Sequence, residues 1–250
     1  MCTVMALPLE EGGYILAGNR DELLRRARAM PPTRHTAGQR AWLAPQDPDG
    51  GGTWTSVNER GLSLSLLNNY AAPMAEPADP ISRGQLVNSL CDCEDLVEVR
   101  RRLDGWRPRL GQVRPFVLLA VSYGAGETAA MEASWDGRTL TLGSLTLPFW
   151  RTSNGADQAK GELLRGPVFD ALVAGWPGDA STRDARLLAA FADHRPQRGR
   201  FSLCMHAEPF GATLSHTVIR VTNTAAQIRY LAGSPCEGIL GPRLDMDRIA

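Results

Sequence analysis

The sequence predicts an α+β domain in which helices pack outside two stacked antiparallel sheets. Three observations carry this expectation. Short apolar and β-branched runs bounded by Gly, Pro, Asn and Asp recur along the chain and are interrupted by two pairs of segments with helical spacing. The 250 residues, 43% of them hydrophobic, suffice for one well-buried core. Neither an internal repeat nor a linker divides them, so residues 1–250 are expected to form a single domain.

From the N-terminus, Cys2 to Leu7 reads as a strand, residues 10–13 as a turn and Tyr14 to Gly18 as a second strand. This hairpin starts the chain inside a sheet. Residues 28–50, with Pro31, Pro32, Pro45 and Pro48, are expected to be a long loop anchored by Trp42. Thr53 to Val57 and Leu62 to Leu67 form a second predicted hairpin through Asn58-Glu-Arg-Gly61. After a Pro- and Ala-rich excursion over residues 70–80, Ser82 to Leu90 and Cys93 to Leu103 carry helical spacing of Leu and Val. Strands are predicted at Phe116 to Val121, Thr128 to Ala133, Thr139 to Leu142 and Leu145 to Thr152. Two further helices, Gln158 to Val173 and Thr182 to His194, precede strands at Phe201 to Met205, Thr217 to Val221 and Gln227 to Leu231, then a Pro/Gly-rich tail.

Twenty-seven basic residues balance twenty-seven acidic ones, so no net field draws the protein to nucleic acid or to an anionic membrane. No window offers 18 uninterrupted apolar residues, and Glu10 and Glu11 stand where a signal peptide would be apolar. A cytoplasmic protein without a membrane span is expected. Five cysteines in a chain of this size read as free thiols, not as a disulfide framework.

Cys2 is the first candidate for chemistry. A small second residue permits removal of Met1, and an α-amine (pKa about 7.7–8.0) beside a thiol (about 8.5) supplies base and nucleophile in one residue. The alternative is an inert cysteine of a first strand. Antiparallel pairing returns Asn19, Arg20, Asp21 and Glu22 to Cys2. There Asp21 would hold the amine, and Arg20 would lower the thiol pKa or bind a substrate carboxylate. The competing reading makes Asp21 the N-cap of a solvated helix over residues 23–29.

Other candidates are weaker. Cys204 and His206 read as members of a packed row. Cys91 and Cys93 lack a second pair at zinc spacing, and His35, His194 and His216 stand isolated, so no metal site is expected. No phosphate loop is present, and the six tryptophans are too scattered for a nucleic-acid stacking platform.

Met1-Cys2-Thr3, Asn19-Arg20-Asp21-Glu22, Gly51-Gly52-Thr53-Trp54, Ser82-Arg83-Gly84, Ser153-Asn154, Cys204-Met205-His206 and Gly233-Ser-Pro-Cys-Glu237 together resemble the NRDE-motif family, the transport and Golgi organisation 2-like proteins. Met1-Cys2-Thr3, Gly18-Asn19 with Asp21, and Asn58-Glu-Arg-Gly-Leu62 followed by Leu67-Asn68 are similar to the bile salt hydrolases and penicillin acylases of the N-terminal-nucleophile (Ntn) hydrolase superfamily. That resemblance implies a four-layer αββα sandwich. It implies Asn68 as donor to the oxyanion, Asp21 as contact of the nucleophile's amine and Asn154 as an orienting residue. Two departures stand out: Gly18 occupies the place of an arginine in the hydrolases, and Gly211-Ala-Thr-Leu-Ser-His216 lacks the arginine of the NRDE family's run, with Arg220 as the nearest substitute.

The function expected is an Ntn-type cysteine hydrolase or acyltransferase acting on a non-peptide amide or acyl substrate, needing no cofactor. Its candidate site residues are Cys2, Asn19, Arg20, Asp21, Asn68 and Asn154. The resemblance also implies an alternative, a non-catalytic carrier of haem, acyl-coenzyme A or lipid. Specificity would lie in the loops at residues 28–50 and 70–80.

Overall fold

In the computed structural model, residues 2–73, 76–176 and 180–249 are described, and all statements below concern these. Strands β1 (Cys2–Pro8) and β2 (Tyr14–Leu23) open the chain, followed by β3 (Met30–Ala37), β4 (Arg40–Gln46), β5 (Thr55–Asn58) and β6 (Leu62–Asn68). Helices α1 (Arg83–Asn88) and α2 (Leu96–Trp106) lead to β7 (Phe116–Gly124), β8 (Glu127–Trp135), β9 (Leu140–Leu145) and β10 (Phe149–Ser153). Helices α3 (Gln158–Ala174) and α4 (Ala180–Phe191) precede β11 (His206–Ala207), β12 (Gly211–Val221), β13 (Ala225–Ala232) and β14 (Arg243–Asp247).

The strands form two seven-stranded antiparallel sheets. One is a meander in chain order from β3 to β9. The other runs β10-β1-β2-β12-β13-β14, with β11 beside β12. Alternation along each strand divides its side chains between two cores. Val4, Ala6, Tyr14 and Leu16 point inward against Leu43, Val57, Leu119 and Val121 of the facing sheet. Their neighbours Met5, Leu7, Ile15 and Ala17 point outward and bury Phe169, Leu187 and Phe191 of α3 and α4. On the far side, Leu62, Leu64, Phe116 and Leu118 pack against Leu86 and Val87 of α1 and Val99 and Leu103 of α2. Three cores between four layers make the αββα sandwich that the resemblance implies. Each buried Leu, Ile or Phe contributes about 1.5–3 kcal/mol.

Where the structure departs from the sequence reading, hydrogen bonding that spacing does not reveal is the cause. Residues 28–50 are not a long loop. β3 and β4 pair from Met30↔Gln46 to Ala37↔Arg40, and Pro31 and Pro32 are tolerated because β3 is an edge strand whose register shifts between Met30 and Thr33. Trp42, expected as a loop anchor, stacks on His35 at 5.6 Å between ring centres. The predicted strand from Leu145 to Thr152 is two strands in different sheets: β9 ends at Leu145 beside β8, and β10 begins at Phe149 beside β1. Phe201 to Met205 is a set of turns, not a strand, because its backbone bonds elsewhere: Cys204 N–H to Asp193 O at 3.0 Å and His206 N–H to Gly199 O at 3.1 Å. The Pro/Gly-rich tail ends in β14, paired with β13. Of the excursion at residues 70–80, positions 74 and 75 lie outside the described residues.

Candidate active site

β1 lies between β10 and β2, so the chain begins in the interior of a sheet with Cys2 opposite Ser153 on one side and Arg20 on the other. The Cys2 backbone N–H donates to Ser153 Oγ at 2.9 Å. The predicted hairpin is observed, and it continues further than spacing suggested: β2 runs through Asn19-Arg20-Asp21-Glu22 to Leu23. No helix follows at residues 23–29, which rules out the N-cap reading of Asp21.

Strand alternation then sorts this polar run into two environments. Cys2 packs with the inward-facing residues, and its cross-strand partner Arg20 shares that face. Arg20 is 5% exposed, its guanidinium lies 4.6 Å from the ring centre of Trp54, and one nitrogen is 3.5 Å from Asp47 and 3.6 Å from Glu22. Its other terminal nitrogen, Nη1, is buried with no hydrogen-bond partner among the described residues.

Asn19 and Asp21 face the helical layer. Asn19 Nδ2 donates to the carbonyls of Phe191 (2.9 Å) and Leu203 (3.0 Å), and its Oδ1 accepts from His216 Nδ1 at 2.9 Å. Asp21 accepts from Thr213 Oγ1 at 2.6 Å and pairs with the fully buried Arg165 at 3.5 Å. Arg165 also donates to Thr3 and Thr152 Oγ1, both at 2.7 Å. Burial raises the Asp21 carboxyl above its usual range, while Arg165 pulls in the opposite direction.

Cys2, Arg20, Asp21, Glu22 and Asn68 line one cleft of about 360 Å³, together with Thr53, Trp54, Ser82 and Arg83. Asn68 ends β6 and donates from Nδ2 to Tyr70 Oη at 2.7 Å. Close backbone approach builds the opposite wall: a Cβ on Gly52 would fall 2.2 Å from the carbonyl carbon of Gly84, so the Gly51-Gly52-Thr53-Trp54 and Ser82-Arg83-Gly84 segments can meet only with glycine there. Asn154 follows β10, next to Ser153; its Nδ2 donates to Arg200 O at 2.9 Å, and its Oδ1 accepts from Ala156 N–H at 3.0 Å.

Among the free cysteines, Cys91, Cys93 and Cys204 are buried, and burial pushes each thiol up to about 12. Cys2 is half-buried and borders the cleft. Burial raises its thiol as well, opposed by the Arg20 charge and reinforced by Asp21 and Glu22. Sequence reasoning gave no role to Ser153, Arg165, Thr213 or Trp54, although Ser153 and Trp54 stood within quoted motifs. Arg165 had no signal at all, since an arginine amid helical apolar residues reads as solvated. The expectation that His194 and His216 stand isolated is corrected: the His194 ring centre lies 5.1 Å from that of His206, and His216 bonds Asn19.

The sequence profile of the Transport and Golgi organisation 2 family matches residues 1–148, more than half of the chain. The chain belongs to this family. The Transport and Golgi organisation 2 match contains every cleft-lining residue named above, whereas β10, α3 and the strands that complete the sheet of β1 and β2 come from beyond it. No curated protein matches the chain.

Solved structures similar to the chain have Ntn-hydrolase architecture. A C2A mutant of the conjugated bile acid hydrolase from Clostridium perfringens superposes with a TM-score of 0.55 at 12% identity, covering 99% of this chain and 92% of that one. Penicillin V acylase from Agrobacterium tumefaciens gives 0.53 at 12% identity over 93% and 83%. The Caenorhabditis elegans ortholog of N-acylethanolamine-hydrolyzing acid amidase gives 0.56 at 11% identity over 87% and 92%. At these identities the likeness establishes the fold. No helix among the described residues is long and apolar enough to cross a membrane.

Proposed function

We propose that this chain is an Ntn-type cysteine hydrolase or acyltransferase that acts on a small non-peptide amide or acyl substrate, with Cys2 as nucleophile. The observation that carries the reading is the placement of Cys2: a half-buried thiol at the start of an interior strand, bordering the same cleft as Arg20 and Asn68. Removal of Met1 converts the nitrogen that now bonds Ser153 into a free amine held at the same point. That amine takes the thiol proton, the thiolate attacks the carbonyl carbon, and Asn68 Nδ2 donates to the oxyanion. The ammonium that forms, with Asp21 as the carboxylate of the same cleft, returns the proton to the leaving group as the tetrahedral intermediate collapses to a thioester. Water or an acceptor amine then releases the acyl group.

Arg20 substitutes for the missing arginine at position 18. It lines the cleft beside Cys2 and, in this reading, donates to an acidic or carbonyl oxygen of the substrate. The likenesses to bile acid hydrolase, penicillin V acylase and the acid amidase support an amide substrate.

Intact-mass measurement combined with labelling by a β-lactam or activated-amide probe tests the reading. Loss of Met1 and Cys2-dependent acylation are expected, with Asn68→Ala slowing acylation about 10²–10³-fold. Retention of Met1, or wild-type labelling no faster than Cys2→Ala, overturns it and favours a non-catalytic carrier of haem, acyl-coenzyme A or lipid.

A further inference from the structure

Four metal-ligating side chains that the cleft does not use meet behind it. His194, Cys204, His206 and Cys236 each offer one donor atom, and these atoms all lie within 4.8 Å of one another. The distances among three of them are 3.5 Å (Cys204 Sγ to Cys236 Sγ), 3.5 Å (Cys204 Sγ to His206 Nε2) and 3.3 Å (His206 Nε2 to Cys236 Sγ). Zinc–sulfur bonds of about 2.3 Å and zinc–nitrogen bonds of about 2.0–2.1 Å give tetrahedral edges of roughly 3.3–3.8 Å. The fourth residue, His194, has its Nε2 buried with no hydrogen-bond partner among the described residues. An orphaned imidazole nitrogen in a polar cluster is costly unless something accepts its lone pair.

The surroundings fit a cation. His206 Nδ1 lies 3.3 Å from Glu208 Oε1 and 3.0 Å from Arg198 Nη2, which in turn pairs with Glu237 at 3.0 Å. Arg198 can only donate, so with a metal on Nε2 the Nδ1 proton goes to Glu208 while Arg198 is held by Glu237 alone; the Nε2 lone pair then faces the two sulfurs in the carboxylate–histidine arrangement that orients metal-bound imidazoles. Two cysteines and two histidines are the donor set of a closed structural zinc site. The divalent ion displaces one proton from each thiol, and the site becomes neutral. Four donors this close leave no room for a porphyrin.

We propose that this chain binds one structural zinc ion through His194, Cys204, His206 and Cys236. The ion ties the end of the α4 segment and the turns at residues 199–206 to the loop at residues 233–237. Those turns supply carbonyls that hold β2, α3 and the residue after β10: Leu203 O accepts from Asn19, Phe201 O from Arg165 at 3.3 Å, and Arg200 O from Asn154. The zinc is therefore a staple behind the Cys2 hairpin and takes no part in chemistry at the thiol.

Metal analysis of protein purified under reducing conditions tests this. One zinc per chain is expected, or one cobalt after exchange, with thiolate-to-cobalt charge-transfer absorption. Cys204→Ser with Cys236→Ser should abolish both. Because that double variant risks misfolding, Glu208→Gln, at an exposed carboxylate, supplies the independent check: zinc affinity in competition with a chromophoric chelator should fall about 10–100-fold while the circular dichroism spectrum is unchanged. Reduced, folded protein that takes up neither zinc nor cobalt overturns the proposal, as does a Cys204–Cys236 disulfide that forms equally fast with and without added zinc. A single metal equivalent retained by the folded double-serine variant places the ion elsewhere and also overturns it. None of these readouts requires Cys2 to be catalytic.

Discussion

At the residue scale, parity along β2 decides what each member of Asn19-Arg20-Asp21-Glu22 does. Arg20 shares the face of Cys2, while Asn19 and Asp21 lock the sheet to the helical layer behind it. Asn19 in turn holds His216, whose ring is fully buried against Phe191 with centres 4.8 Å apart. Burial lowers the His216 pKa to about 3, against about 6.5 in an unfolded chain. The folded state therefore refuses a proton that the unfolded state accepts. The stability this group contributes is complete above about pH 6.5 and is lost as pH falls toward about 3, at up to about 1.4 kcal/mol per pH unit. Denaturant unfolding between pH 7 and pH 4 should show that slope, and His216→Asn, which keeps a donor toward Asn19, should flatten it. An unchanged slope in the variant would assign the acid sensitivity to other groups.

At the element scale, two junctions define the walls of the cleft. The first is the backbone contact of Gly52 with Gly84, where Gly52→Ala would push a methyl group into main chain. Such overpacking costs about 1–3 kcal/mol. At about 2–4 °C per kcal/mol for a chain of this length, the loss is measurable as a fall in Tm. The second is Arg165, which joins α3 to β1, β2 and β10 through Thr3, Asp21 and Thr152. Arg165→Met removes the guanidinium from a buried carboxylate and should cost about 3–5 kcal/mol. Adding Asp21→Asn should recover much of the loss in a double-mutant cycle, and strictly additive losses would show that the two side chains do not interact.

At the scale of the whole molecule, the two sheets are joined by apolar packing and by few polar links. Tyr14, fully buried in β2, places its hydroxyl within 2.7 Å of Ser63 Oγ, 3.1 Å of Gly61 O and 3.0 Å of Val121 O in the facing sheet. Tyr14→Phe leaves these buried acceptors short of a donor and should lower the unfolding free energy by about 1–3 kcal/mol with the denaturant m-value unchanged. A change in m-value would instead mean that sheet packing itself had loosened.

What the sequence determined by itself was local: strand and helix periodicity, the layered α+β class, the hairpin that returns Arg20 to Cys2, and the strand that delivers Asn68. These follow from neighbour chemistry and from the two-residue alternation of a strand, which acts along the chain without knowledge of partners. Only the tertiary structure decided which sheet each strand entered, as at residues 145–149, where one apolar run crosses between sheets. It also decided that Pro31 and Pro32 sit in an edge strand, that Arg165 is buried against Asp21, and that His194, Cys204, His206 and Cys236 meet. The two cysteines of that cluster are 32 residues apart, at a spacing no local motif encodes. Contacts at such separation are chosen by how layers stack, and the energy that chooses them is the burial of apolar faces far from the residues they bring together.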